Sequence, residues 1–158
     1  MTSVNDEKEK TLMTLSELLN STEGRLVGNP EGFYFTSVQT DSRNVTRGTM
    51  FVPLVGEFQN GHKYVPQAIE AGASVVLINK SEYEKEPEVY EDLSKQGVKF
   101  ILVENTLYGL QNAAEGYVTK FPDLIKIAVT GSCGKTTTKE MIVSVLKQKY
   151  NCVYTQGN

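Results

Sequence analysis

The sequence predicts an α/β protein in two parts: a small α/β domain over residues 12–122 and, over residues 123–158, the start of a parallel-sheet domain built on a glycine-rich loop. Short apolar runs at 75–78 and 100–103 alternate with segments of helical spacing. Pro122-Asp123 forms a polar break between the two parts. Beyond it, the apolar run 125–129 leads into Thr130-Gly131-Ser132-Cys133-Gly134-Lys135-Thr136-Thr137-Thr138 and then into an amphipathic stretch, the order strand, loop, helix.

Residues 1–11 are charged and polar and predict a disordered lead. Thr14-Leu15-Ser16-Glu17 has the spacing of a capping box and opens a short helix through Asn20. Segments 24–27 and 33–40 read as strands, the second with Phe33 and Phe35 on one face. A third strand spans 50–55, where Pro53 predicts an edge position or a bulge. Residues 64–71 form a helix ended by Gly72, and 75–78 a buried strand. The charged stretch 82–96 reads as a solvated helix broken near Pro87. A strand at 100–103 precedes a helix at 107–120 with apolar positions at 107, 110, 113, 114 and 117, and a last strand is expected at 152–155.

The glycine loop has a clear chemical use. Glycines at 131 and 134 let the backbone turn tightly and aim N–H groups at phosphate oxygens, while the following helix offers the positive end of its dipole. The predicted ATP contacts are Gly131, Ser132, Cys133, Gly134, Lys135, Thr136 and Thr137. Lys135 takes the catalytic part on the β- and γ-phosphates, and Thr136 offers its hydroxyl to Mg²⁺. Val129 stands where the strict loop pattern has its first glycine, so this is a shortened variant. Cys133 reads as a small residue tolerated in the loop.

Composition narrows the class further. A net charge of −3 with interspersed signs gives no basic footprint for nucleic acid and no polybasic patch for a membrane. No apolar run approaches the roughly 20 residues of a membrane span. Two cysteines do not make a disulfide framework, and a single histidine excludes a two-histidine metal site. No nucleophile elbow or Cys-x-x-Cys pair is present, and the carboxylates at 82, 84, 86, 88, 91 and 92 read as a solvated face.

Three ordered segments share a resemblance. Thr130-Gly131-Ser132-Cys133-Gly134-Lys135-Thr136-Thr137 resembles the ATP loop of the Mur ligase family. Asp41-Ser42-Arg43-Asn44-Val45, with Gly48 and Phe51-Val52-Pro53-Leu54, resembles that family's D-S-R-x-V segment. Asn60-Gly61-His62-Lys63-Tyr64 resembles its D-G-H-x-F segment, with Asn60 in place of the usual Asp. Lys139-Glu140 and the closing Thr155-Gln156-Gly157-Asn158 most resemble the members that add D-alanyl-D-alanine; members that add lysine or diaminopimelate share the first two segments.

Ser42 and Arg43 follow a strand and Asn60, Gly61 and His62 precede a helix, so both groups are expected to converge at the carboxyl end of the sheet, where α/β folds bind ligands. A guanidinium, a hydroxyl and helix N–H groups suit a uridine diphosphate. The resemblance implies the same assignment and adds Asn158 as a substrate contact. Arg43 has an alternative as an ion-pair partner of Asp41, Ser42 as a strand-end hydroxyl, and His62 as a helix-start contact.

The resemblance implies an α/β domain of the muramyl-peptide ligase type that binds a UDP-N-acetylmuramoyl-peptide, followed by the start of the ATPase domain. It further implies ATP- and Mg²⁺-dependent amide-bond formation with D-alanyl-D-alanine, in a cytoplasmic monomer of cell-wall synthesis that neither binds nucleic acid nor inserts in a membrane. Such ligases have three domains, so the 158-residue chain is expected to be inactive alone and its second part to pack incompletely. Two other readings compete: a phosphate-loop kinase or GTPase, and a non-catalytic UDP-sugar-binding module.

Overall fold

The computed structural model describes residues 11–156. The expected lead at 1–10, together with Gly157 and Asn158, lies outside the described residues. The chain divides into two units, Met1–Pro122 and Asp123–Asn158.

Thr11 departs from the disordered lead predicted for it. Its Oγ donates to the Met13 carbonyl at 3.0 Å and accepts the Phe35 N–H at 3.1 Å, while the Leu12 N–H reaches the Phe35 carbonyl at 2.8 Å. Thr14 then caps α1 (Leu15–Thr22): its hydroxyl accepts the Glu17 N–H at 3.2 Å, and the Glu17 carboxylate accepts the Thr14 N–H at 2.7 Å. Two donors with no helical acceptor are satisfied reciprocally, for about 1 kcal/mol. Glu23 ends the helix in the left-handed region, at φ 52°.

Five strands form one sheet: β1 (Arg25–Val27), β2 (Ser37–Gln39), β3 (Thr49–Phe51), β4 (Ala73–Asn79) and β5 (Lys99–Val103), in the order β1-β5-β4-β3-β2. β1 runs antiparallel to β5 and every other pair is parallel. The connecting helices are α2 (Val65–Glu70), α3 (Lys80–Tyr83), α4 (Pro87–Lys95) and α5 (Thr106–Val118).

Strand period sorts the core into two clusters. Met50, Val52, Val75, Leu77, Ile101 and Val103 face one way, onto Leu18 of α1 and Ala113 of α5. Phe51, Val76, Ile78, Phe100 and Leu102 face the other, onto Val65 and Ala68 of α2, with Tyr90 and Leu93 of α4 packed beside them. The sheet is therefore covered on both faces, as parallel strands require. Val75, Val76, Leu77 and Ile78 are fully buried, each worth about 1.5–3 kcal/mol over exposure.

Several expectations shift. Of 33–40 only Ser37–Gln39 pairs as strand, because the Phe35 N–H and carbonyl are taken by the Thr11 and Leu12 segment. β3 is an interior strand, so Pro53 marks no edge; it lies just past the end of the ladder. The buried side of α5 runs through Thr106, Gly109 and Ala113, leaving Leu107 45% exposed. Gly109 sets that face, since a Cβ there would sit 3.1 Å from Leu77 and 3.2 Å from Val103.

In the second unit, Gly134 at φ 76° opens α6 (Lys135–Leu146). The strands expected at 125–129 and 152–155 do not form. Ile125 is 79% and Val153 98% exposed, and neither run has a ladder partner among the described residues. An apolar run becomes a strand only when another strand takes its backbone hydrogen bonds.

Candidate ligand cleft and phosphate loop

The carboxyl ends of the parallel strands carry the polar residues that the core excludes. After β2, Asp41 caps a 3-10 turn at Ser42–Asn44 by accepting the Arg43 N–H at 3.0 Å. The Arg43 side chain folds back on the same carboxylate, with Nη2 to Oδ2 at 2.6 Å and Nε to Oδ1 at 2.9 Å. These bonds hold the Asp41 carboxyl far below the usual carboxylate range, at about 2. The ion-pair alternative for Arg43 is thus realised, yet its side chain stays 81% exposed. Ser42 is buried, and its Oγ donates to Gln67 Oε1 on α2 at 3.0 Å.

After β3, a 3-10 turn at Gly61–Tyr64 leads into α2. Asn60 caps it, Oδ1 accepting the His62 N–H at 3.0 Å. Gly61 lies against the previous loop: its N–H reaches the Leu54 carbonyl at 2.9 Å, and a Cβ would stand 2.7 Å from that oxygen.

Ser42, Arg43 and Gly61 come together in one cleft of about 640 Å³, with Thr40, Asp41, Leu54, Gln59, Tyr64 and Gln67 completing its wall. Asn60 and His62 do not join them. They line a second cleft of about 360 Å³ with Glu82, Lys85 and Tyr90. His62 is 5% exposed and both ring nitrogens are engaged, Nδ1 with Asn60 Oδ1 at 2.7 Å and Nε2 with the Asn79 N–H at 3.1 Å. Burial pushes its pKa below the usual imidazole value; Glu82 opposes that shift and Lys85 adds to it. The histidine therefore braces the turn against the end of β4 and does not face the Arg43 cleft.

Gln59, Tyr64 and Gln67 line the candidate cleft, and sequence reasoning did not name them. Tyr64 lies inside the Asn60–Tyr64 motif itself, and Gln67 is one helical turn beyond it, which is the available signal. The Tyr64 hydroxyl donates to Gln59 Oε1 at 3.3 Å, so the two form one wall.

In the second unit, Gly131 and Gly134 both hold left-handed backbone, at φ 145° and 76°. Only glycine adopts these angles without strain. Lys135 curls over the loop, its Nζ donating to the Gly131 carbonyl at 2.7 Å. The first i→i−4 bond of α6 runs from the Thr138 N–H to the Gly134 carbonyl at 2.9 Å, so the helix's positive end opens at the glycine. Ser132, Cys133, Lys135, Thr136 and Thr137 are all exposed, and Cys133 is a free thiol. A left-handed glycine pair, a lysine and a helix start fit a triphosphate. Among the described residues no group of three His, Cys, Asp or Glu is placed to hold a metal; Thr136, exposed at the start of α6, is the residue that would offer a hydroxyl to Mg²⁺.

The pattern of the Mur ligase family catalytic domain matches residues 34–117, and that of the Mur ligase middle domain matches 129–158. The chain belongs to the Mur ligase family. It is 38% identical over 148 residues to the UDP-N-acetylmuramoyl-tripeptide--D-alanyl-D-alanine ligase of Treponema pallidum, covering 93% of this chain and 32% of that protein. The crystal structure of MurF from Acinetobacter baumannii superposes with a TM-score of 0.75 at 28% identity, covering 92% of this chain and 29% of that one. MurF of Thermotoga maritima, solved in complex with ADP, superposes with a TM-score of 0.56 at 27% identity over 72% of this chain and 23% of that one. This Mur ligase chain thus spans about a third or less of the length of these relatives. No helix among the described residues is long and apolar enough to cross a membrane.

Proposed function

We propose that this chain forms the nucleotide-sugar-binding domain and the opening of the ATP site of a cytoplasmic, monomeric ligase that joins D-alanyl-D-alanine to a UDP-N-acetylmuramoyl-tripeptide in peptidoglycan synthesis. The observation that carries this reading is the 38% identity, across 93% of the chain, to a ligase named for that reaction. The geometry supports it in two places. The Arg43 cleft offers a guanidinium, the Ser42 hydroxyl and the side chains of Gln59, Tyr64 and Gln67 to a uridine diphosphate. The loop at Gly131–Gly134 offers backbone N–H groups and Lys135 to a triphosphate.

ATP would supply the driving force by converting the peptide carboxylate to an acyl phosphate, a mixed anhydride, with ADP as the leaving group. The residues of this chain supply charge and position. Lys135 leaves the Gly131 carbonyl and neutralises charge that builds on the transferring phosphoryl group, the term that dominates phosphoryl transfer. Thr137 bonds a phosphate oxygen, and Thr136 is the residue of this chain that would hold Mg²⁺. Asn158 is proposed as a further substrate contact.

The test is ADP release by the protein of the full reading frame that carries these residues. Turnover with UDP-N-acetylmuramoyl-tripeptide and D-alanyl-D-alanine, but not with the UDP-linked dipeptide and lysine or diaminopimelate, is expected. Turnover only with the second pair overturns the D-alanyl-D-alanine assignment. The 158-residue chain alone is expected to bind UDP-N-acetylmuramoyl-tripeptide and to release no ADP.

A further inference from the structure

Five hydrogen bonds run across the carboxyl ends of the strands, and they extend beyond the residues that line the Arg43 cleft. Starting outside, Asn60 Nδ2 donates to Glu82 Oε1 at 3.0 Å. Asn60 Oδ1 meets His62 Nδ1 at 2.7 Å, and His62 Nε2 accepts the Asn79 N–H at 3.1 Å. Asn79 Oδ1 accepts the Thr106 N–H at 2.7 Å, and the Thr106 hydroxyl donates to the Pro53 carbonyl at 2.6 Å. Asn79, Thr106 and His62 are buried, so each of these polar groups needs its partner.

The orientation of this chain of bonds is fixed by groups that have no choice. The Asn79 N–H can only donate, so His62 Nε2 carries no proton and Nδ1 does. The His62 N–H can only donate, so Asn60 turns its oxygen inward and its NH₂ outward. Outward stands Glu82, an acceptor kept ionised by Lys85, whose Nζ lies 2.7 Å from the same oxygen. Glu82 belongs to the carboxylate run expected to be a solvated face, yet its side chain is only 18% exposed.

We propose that Glu82 is a positioning residue for the Arg43 cleft: by accepting from Asn60 Nδ2 it anchors the amide whose oxygen caps the Gly61–Tyr64 turn and bonds His62, and so fixes the turn that walls the cleft. The proposal rests on the reading of that cleft as a nucleoside-diphosphate site. It makes Asn60 and His62 braces of the wall and Gly61 and Tyr64 the surface the ligand meets. The charged and titratable groups around the ring are Glu82 and Lys85, with Lys63, Glu86 and Tyr90 on the same second cleft.

The chain contains one histidine, so ¹⁵N imidazole spectra of the 158-residue chain report His62 alone. The wild type is expected to show the neutral Nδ1–H tautomer, with UDP binding followed by titration calorimetry. Asn60→Asp removes the donor and sets two carboxylates at the 3.0 Å contact, which raises the His62 titration midpoint and weakens UDP about tenfold, the scale of one net hydrogen bond. Adding Glu82→Gln to Asn60→Asp restores a donor–acceptor pair with its direction reversed. It is expected to return the affinity. Glu82→Leu, which strands the Asn60 amide, is expected to lose affinity while the two backbone donors keep the tautomer. A double variant no better than Asn60→Asp, or a Glu82→Leu chain with wild-type affinity, overturns the proposal. If the wild type binds no UDP, the nucleotide reading of the cleft fails, and recovery of the urea unfolding midpoint in the double variant relative to Asn60→Asp still decides whether Glu82 acts through Asn60.

Discussion

Gly61→Ala tests whether the cleft wall depends on close backbone contact. Gly61 keeps a negative φ, so the substitution adds no backbone strain and its cost is steric. The new Cβ would meet the Leu54 oxygen at 2.7 Å and the Leu54 nitrogen at 2.8 Å, where ordinary contact begins at 3.4 Å. Both are backbone atoms and neither can rotate away. Relief needs a displacement of about 0.7 Å, the difference of those distances, and would stretch the 2.9 Å bond from Gly61 N–H to Leu54 beyond hydrogen-bonding range. Overpacking of this kind costs ~1–3 kcal/mol, and exchanging it for a lost buried hydrogen bond costs about the same. With a urea slope of ~1–3 kcal/mol/M, a loss near 2 kcal/mol moves the unfolding midpoint by about 1 M. Gly97→Ala is the control: its φ is 100° but a Cβ there meets nothing within 4 Å, so only backbone strain of ~1–2 kcal/mol acts. Circular dichroism in urea and UDP titration on both variants should show affinity lost with Gly61→Ala and retained with Gly97→Ala. A Gly61→Ala midpoint equal to wild type would refute the steric account of the wall.

Phe35, 1% exposed and in edge contact with Phe33 at 6.0 Å, should cost ~3–5 kcal/mol when replaced by Ala, measured by urea unfolding. In Arg43→Gln, NMR should show the Asp41 carboxyl titrating back toward 3.8, with the residue-43 backbone N–H still holding it somewhat low, and UDP binding should weaken. Stability should also depend on pH through His62, whose folded pKa lies below the ordinary 6.5. Below that value the unfolded chain binds a proton that the folded chain resists, so stability is complete above it and falls as pH drops toward the folded value. Glu17, Asp41 and Glu82, with lowered carboxyl pKa values, add a second loss at still lower pH, below their ordinary values near 4. Thermal melts from about pH 8 down to about pH 2 check this, and an unchanged melt between pH 7 and 5 would contradict it.

The alternating core was legible because strand period is strict: Val75 and Leu77 go one way, Val76 and Ile78 the other, and no tertiary information is needed to pair them. The capping box at Thr14 was legible for the same local reason. The short extent of β2 was not, since Phe35 gives its backbone to Thr11 and Leu12, 24 and 23 positions earlier in the chain. Of the two readings of Pro53 the edge one fails, because proline excludes itself from a ladder without saying whether the strand it follows is at the edge; β3 does carry a register shift against β4, at Thr49 and Met50 rather than at the proline. In the second unit the runs at 125–129 and 152–155 have strand composition, but pairing is a property of two segments and a single sequence window contains one.

The division of the Asn60–His62 segment between two clefts has a geometric cause that composition hides. Gly61–Tyr64 is a 3-10 turn, with three residues per turn, so neighbouring side chains leave it about 120° apart. Gly61 and Tyr64, three apart, share the face toward Arg43, whereas His62 points away toward β4 and Glu82. A segment whose residues 60, 61 and 62 were all read as ligand contacts thus divides: positions 61 and 64 form the cleft surface, and positions 60 and 62 hold that surface in place. The same period explains why Asn60 is chemically particular. Its neighbour across the second cleft is an ionised carboxylate at 3.0 Å, and an amide bonds to it where a second carboxylate would repel. The identity of residue 60 is therefore set by Glu82, 22 positions further along the chain, and a change at either position is expected to require a matching change at the other.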